Sequence, residues 1–173
     1  DIPVQSIDAA YMINENTGYI QINKFGEQTY AEMLVSLADL AMKGMRSIII
    51  DLRGNTGGYM HIAIQMANEF LTRNSLIVYT EGRSIPREEY RSDGKGSFQQ
   101  LPIVVLVDEG SASSSEIFAG AIQDNDRGTI IGRRTFGKGL VQQPIEFEDG
   151  SAIRLTIARY YTPSGRCIQK PYT

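Results

Sequence analysis

The 173-residue sequence holds one cysteine, Cys167, and one histidine, His61. A lone cysteine excludes an internal disulfide and, without partners at ligand spacing, a structural zinc site. The histidine falls in an apolar run, 59–71, patterned as an amphipathic helix, where the ring serves packing or the surface. A Ser-His-Asp triad would have to run through it, so histidine-based nucleophilic catalysis is not expected. Basic excess is also missing. Lys and Arg number 17 against 20 Asp and Glu, a net charge of −3, which leaves no basic face for nucleic acid. No apolar run reaches the ~18 residues of a membrane span, and no charged-then-apolar leader follows Asp1, so nothing in this chain is expected to span or cross a membrane. The patterns Gly-x-x-x-x-Gly-Lys-Ser/Thr and Gly-x-Gly-x-x-Gly are both absent, excluding a phosphate loop and a dinucleotide fingerprint. Asp108, Asp124 and Asp126 are too few and too poorly supported for a metal centre, and turn and helix-end roles account for them.

What is present is an ordinary globular composition, 42% hydrophobic and 21% charged, enough for one core over a single unit, 1–173. Residues 18–23 alternate as a half-buried strand, and 30–42 repeat apolar residues at helical spacing with Leu34, Leu37, Ala38 and Ala41 on one face and Gly44 closing the helix. The β-branched run 47–52 then leads through a glycine-rich turn into the helical pattern of 59–71. The cycle returns with strands at 76–80 and 101–107 and a helix at 113–124. Buried strands alternating with helices predict an α/β fold with mostly parallel pairing. Residues 81–100, polar and rich in charge, read as a surface loop or flap and as the segment expected to move. Residues 141–147 and 151–161 alternate around Glu148-Asp149-Gly150 as a C-terminal β-hairpin.

Three segments carry residues suited to chemistry. In Gly110-Ser111-Ala112-Ser113-Ser114-Ser115-Glu116-Ile117, Ser113 follows an apolar strand and opens a helix, where unpaired amides and the helix dipole favour an anion such as an acyl-transfer oxyanion. Ser113 with Glu116 is equally a capping-box pattern, and three serines there are consistent with capping alone. In Thr135-Phe136-Gly137-Lys138-Gly139-Leu140-Val141-Gln142, Lys138 is either a solvated loop charge or, if burial suppresses its protonation, a base for the serine. Gln142, four residues on in an extended hairpin, shares a face with Lys138 and either orients its amine or is an exposed strand residue. The turn Arg53-Gly54-Asn55-Thr56-Gly57-Gly58 admits a positive-φ turn, an anion-binding nest or half of an oxyanion hole.

These motifs, taken in order with Asp51-Leu52 before the turn and Tyr160-Tyr161-Thr162-Pro163-Ser164-Gly165-Arg166 at the close, resemble the carboxy-terminal processing (tail-specific) protease family from about Val4 to the end. The resemblance implies a crotonase-like or Clp-protease-like α/β superhelix and a serine peptidase without a catalytic histidine. It assigns Ser113 as nucleophile and Lys138 as general base, at the family's separation of 138 − 113 = 25 residues. Gln142 orients the lysine, and the oxyanion hole is made by the backbone amide of Ser114 with that of Gly57 or Gly58. Ser114 stands where the family usually has alanine, and Leu140 where a small residue is common. The resemblance further implies no cofactor, cleavage near exposed or unfolded C-termini of protein substrates, an extracytoplasmic setting in the bacterial periplasm or cell envelope, and an upstream PDZ domain for which this chain has no room. A crotonase-like acyl-coenzyme A enzyme and a non-catalytic binding domain on the same fold are the alternatives.

Overall fold

The computed structural model describes residues 5–171. Val4 and the outermost ends of the expected 1–173 unit lie outside the described residues. The chain runs β1 (Ile7–Met12), β2 (Thr17–Ile22), α1 (Thr29–Met42), β3 (Ser47–Asp51), α2 (Met60–Asn68), β4 (Leu76–Glu81), β5 (Glu88–Arg91), β6 (Ile103–Val107), α3 (Ser114–Asp124), β7 (Thr129–Gly132), β8 (Leu140–Glu146) and β9 (Ala152–Tyr161). Two sheets form. The five-stranded sheet has the order β1-β2-β3-β6-β7, parallel except for the β1–β2 pair. The four-stranded sheet, β5-β4-β9-β8, is antiparallel throughout.

Parallel β3 and β6 are central because their β-branched residues, Ile48, Ile50, Ile103, Val105 and Val107, bury against helices. α1 buries Met33, Leu37 and Leu40. Ala38 and Ala41, expected on that face, are exposed and Leu34 is half-buried, because Met33 and Leu40 offer more apolar surface to the sheet than two alanines do. Gly44 does end the helix. Its φ of 90° permits bonds from Gly44 N–H to the Ala41 carbonyl and from Met45 N–H to the Leu40 carbonyl. α3 is buried from Ser114 to Ile122 and packs against α2, β4 and β7. Phe118 meets Phe70 edge-on at 6.1 Å.

The segment 81–100 is not an open flap. β5 pairs with β4, Arg87 lies over the Tyr79 ring, and Arg87 and Arg91 both bind Glu89. Beyond β5, Asn68 holds Asp93, Glu69 accepts the Ser97 N–H, and the Arg127 guanidinium binds the carbonyls of Phe70, Phe98 and Leu101. The charges that suggested a solvated loop are alternating partners along an edge strand. His61 is exposed, 3.4 Å from Glu27. Among the described residues, no helix is long and apolar enough to cross a membrane.

Candidate active site

Three serine hydroxyls fasten the segment 110–115 to the turn 52–58. Ser111 Oγ donates to the Leu52 carbonyl at 2.7 Å, Ser115 Oγ to the Asn55 carbonyl at 2.9 Å and Ser114 Oγ to the Gly58 carbonyl at 2.9 Å. The Ala112 N–H adds a bond to the Asn55 carbonyl. The fourth hydroxyl of the run, Ser113 Oγ, makes no bond to the turn and donates to no acceptor among the described residues; it faces the Glu116 N–H in the capping box of α3. Ser113 caps α3 with φ 55° and ψ −114°, a conformation that an L-residue adopts only at a cost of about 1–3 kcal/mol. The Gly57 backbone packs closely against it, since a Cβ on Gly57 would lie 2.8 Å from the Ser113 Cβ and 2.7 Å from the Ala112 carbonyl oxygen.

Glu116 decides how this turn meets the lysine segment. Its carboxylate is 6% exposed and accepts three backbone N–H groups: Ser113 at 2.9 Å, Gly137 at 2.7 Å and Lys138 at 2.9 Å. One side chain thus joins the helix cap to a segment more than twenty residues away. The backbones of Ser113 and Lys138 are brought together, donating to the same oxygen, Oε2. No hydrogen bond joins their side chains: Lys138 is exposed, and its amine makes no hydrogen bond or ion pair among the described residues. Gln142 is exposed on β8, and Lys138 lies two residues before that strand begins.

The glycine turn is held from below. Asn55 Oδ1 accepts the Gly57 N–H at 2.8 Å, while Asn55 Nδ2 donates to the Ile22 carbonyl at 2.8 Å. The Phe25 N–H donates to the Gly57 carbonyl, and the Tyr59 N–H to the Phe25 carbonyl. Because peptides are trans, Gly58's own N–H and carbonyl face away from Phe25. The carbonyl meets Ser114 Oγ, so the N–H faces the same side, at the mouth of α3. The amides of Gly58 and Ser114 have no acceptor among the described residues, whereas that of Gly57 is occupied by Asn55. Gly58 has φ 150°, and a Cβ there would lie 2.1 Å from the Phe25 carbonyl oxygen. Gly58→Ala is therefore expected to lower stability by about 3 kcal/mol or more. Gly54→Ala, with φ 70° but open space around the added Cβ, should cost only about 1–2 kcal/mol. Chemical denaturation of the two variants compares them directly.

Beneath the turn, buried Asp51 receives the Arg53 guanidinium at 2.7 Å and the Tyr19 hydroxyl at 2.7 Å. Burial by itself would raise the Asp51 carboxyl. Hydrogen bonds from the Arg53 side chain, from Tyr19 and from the Arg53 N–H outweigh it and hold the carboxyl below its ordinary range. Burial and the bond to Asp51 push Tyr19 up to about 12. A depressed carboxylate contributes stability that is present above its unfolded-state value and lost as pH falls through the folded one. Stability should therefore decline progressively below about pH 4. Asp51→Asn should flatten part of that decline and cost about 1–3 kcal/mol at neutral pH, read from denaturation curves between acid and neutral pH.

A strained serine at a strand-to-helix turn, with two backbone amides beside it that have no acceptor among the described residues, is an arrangement that serine acyl-transfer enzymes use. Comparison with known proteins narrows the class. The family model for peptidase family S41 matches residues 16–172. A carboxyl-terminal-processing protease of Synechocystis is 42% identical over 156 residues, 90% of this chain and 36% of that protein. The carboxy-terminal processing protease CtpA of Bacillus subtilis is 38% identical over 169 residues, 98% of this chain and 36% of that protein. Among solved structures, the photosystem II D1 C-terminal processing protease superposes with a TM-score of 0.83 at 37% identity, over 88% of this chain and 39% of that one. Mature CPAF with lactacystin shares the fold, with a TM-score of 0.70 at 15% identity, over 88% of this chain and 45% of that one. The chain belongs to peptidase family S41, and its fold is the Clp-like α/β superhelix of that family. It spans a little over a third of the length of the curated relatives it matches.

In the sequence Glu116 reads as a helix cap alone, and neither Asn55 nor Tyr19 carries a local signal of its bonds. The spacing of Ser113 and Glu116 signals the cap, but no local pattern signals the bonds to Gly137 and Lys138.

Proposed function

We propose that this chain is the catalytic unit of a serine endopeptidase that cleaves protein substrates near their C-termini. Ser113 Oγ attacks the scissile carbonyl while the neutral Lys138 amine takes its proton. The oxyanion that forms is held by the N–H groups of Gly58 and Ser114, Gly58 being preferred over Gly57 because the Gly57 amide already serves Asn55. The lysine then protonates the leaving amine, and water activated by the same lysine releases the acyl group. A substrate strand lying over Ser113 would exclude water from the lysine amine, and Gln142 orients that amine. No organic cofactor enters this scheme. Substrates would be unfolded or carry exposed tails, presented by a PDZ domain upstream in the full-length protein, in the periplasm or cell envelope.

The observation that carries the reading is the hydroxyl inventory of the run 111–115. Ser111, Ser114 and Ser115 all donate to the neighbouring turn, and among the described residues of the run the strained Ser113 alone has a hydroxyl proton that no acceptor takes. The test is to incubate the protein with a peptide ending in apolar residues, identify products by mass, and map the site labelled by a fluorophosphonate. Cleavage with the label on Ser113 is expected. Labelling elsewhere, or hydrolysis of an acyl-coenzyme A thioester without peptide cleavage, would overturn the assignment.

A further inference from the structure

Next to the lysine segment the molecule is hollow. A cavity of about 360 Å³ lies between α3, residues 134–137 and the closing segment 166–171, a volume that suits a small ligand. Its walls include Glu116, Gln169 and Lys170, and these three hold the backbone of the lysine segment. The Glu116 carboxylate accepts the N–H groups of Gly137 and Lys138, the Gln169 side-chain oxygen accepts that of Gly139 at 3.0 Å, and the Lys170 N–H donates to the Gly137 carbonyl at 2.9 Å. Ser113 and Lys138 do not line the cavity. An occupant would therefore press on the supports of Lys138 without lying on the reacting groups.

The lining selects the ligand. Ala119, Ile130 and Phe136 supply apolar surface, Gln123 offers an amide, and Arg134 and Lys170 stand exposed at the rim with no ionic partner among the described residues. The other charges nearby are taken: Arg166 is bound to Asp124, Glu109 to Arg133, and the Glu116 carboxylate accepts three N–H groups. Two unpaired cations beside an apolar wall attract an anion that carries apolar groups, and a guanidinium grips a planar carboxylate with paired N–H groups. Resting on Lys138 as the general base, we infer that this cavity is an effector site for the C-terminal carboxylate of a short apolar peptide, an intact tail or the fragment that cleavage releases. The Lys138 amine makes no bond of its own, so its position is only as fixed as the backbone beneath it. Filling the hollow against that backbone raises the share of molecules with the base in place.

Calorimetry on Ser113→Ala, which does not turn the probe over, should show N-acetyl-Ala-Leu-Ala binding through its carboxylate and its C-terminal amide binding at least about tenfold more weakly. Adding Arg134→Gln or Lys170→Gln should weaken the carboxylate form by about three- to tenfold and leave the amide form unchanged. The acetylated probe stands for an intact tail and the free-amine tripeptide for a released fragment; binding of either supports the site, and their ratio names its source. In the parent, the saturating probe should raise kcat about fivefold with KM within about twofold, and Arg134→Gln should keep basal turnover but lose that rise. Equal binding of carboxylate and amide, unchanged affinity in Arg134→Gln, or inorganic phosphate binding as tightly as the peptide would overturn the inference. So would unaltered kinetics, or a raised KM at constant kcat, which places the peptide over Ser113. Retained cleavage in Lys138→Ala removes the catalytic reading and the coupling with it, whereas carboxylate binding in the calorimeter does not depend on turnover, so the two failures are told apart.

Discussion

Ser113→Ala is expected to lower peptide turnover by about 10,000-fold or more while leaving the fold intact. The hydroxyl makes no bond to the neighbouring turn among the described residues, so its one structural contact is the capping-box approach of the Glu116 N–H. The strained backbone at φ 55° and ψ −114° is retained, since alanine carries the same Cβ. Ser113→Gly should be equally inert yet more stable than Ser113→Ala by about 1–2 kcal/mol, because glycine occupies that region of φ and ψ without the Cβ penalty. The pair of variants separates two properties of one residue: activity depends on the oxygen, stability on the backbone. Mass spectrometry of products gives the first and thermal denaturation the second. If the glycine variant were no more stable than the alanine variant, the strain at this turn would not be energetically real.

Glu116→Ala should produce the second largest loss, about 100- to 1,000-fold in turnover with about 2–4 kcal/mol of stability. Three N–H groups lose their acceptor at once, two of them on the segment that carries Lys138. Truncation leaves that segment without its link to the helix cap, and a displacement of about 1 Å in catalytic geometry is enough for a loss of about 100-fold. Glu116→Gln should fall between parent and alanine. The amide keeps one acceptor oxygen but turns an NH2 group toward an N–H that needs an acceptor. Fluorophosphonate labelling of Ser113 would remain measurable in these variants when peptide cleavage is too slow to follow, which separates a misplaced lysine from a lost nucleophile.

How much of this was legible beforehand depends on the range of the forces involved. The pattern of apolar residues located β2, β3, β4 and β6, the three helices and the final hairpin, because burial of one face leaves a period in the sequence. It missed β1, β5 and β7. Residues Ile7–Met12 lie at a sheet edge with an irregular burial pattern, Thr129–Gly132 span only four residues, and Glu88–Arg91 carry charge where a core strand would carry apolar side chains. Lys138 is singled out by its motif, but its exposure follows from how its segment leaves the core.

The sequence by itself determined the alternation of strands and helices and the placing of Ser113 at a strand-to-helix turn. Both rest on neighbours in the chain, through period and cap. Only the tertiary structure decided that a second sheet closes antiparallel over β4, that the Gly58 carbonyl turns to Ser114 and its amide to the same side, and that Glu116 joins the Ser113 turn to the Lys138 segment. Those outcomes depend on hydrogen bonds between residues twenty or more positions apart or on how such bonds orient a peptide plane. Such bonds are specified by the packing of the whole core, and no local stretch of sequence contains them.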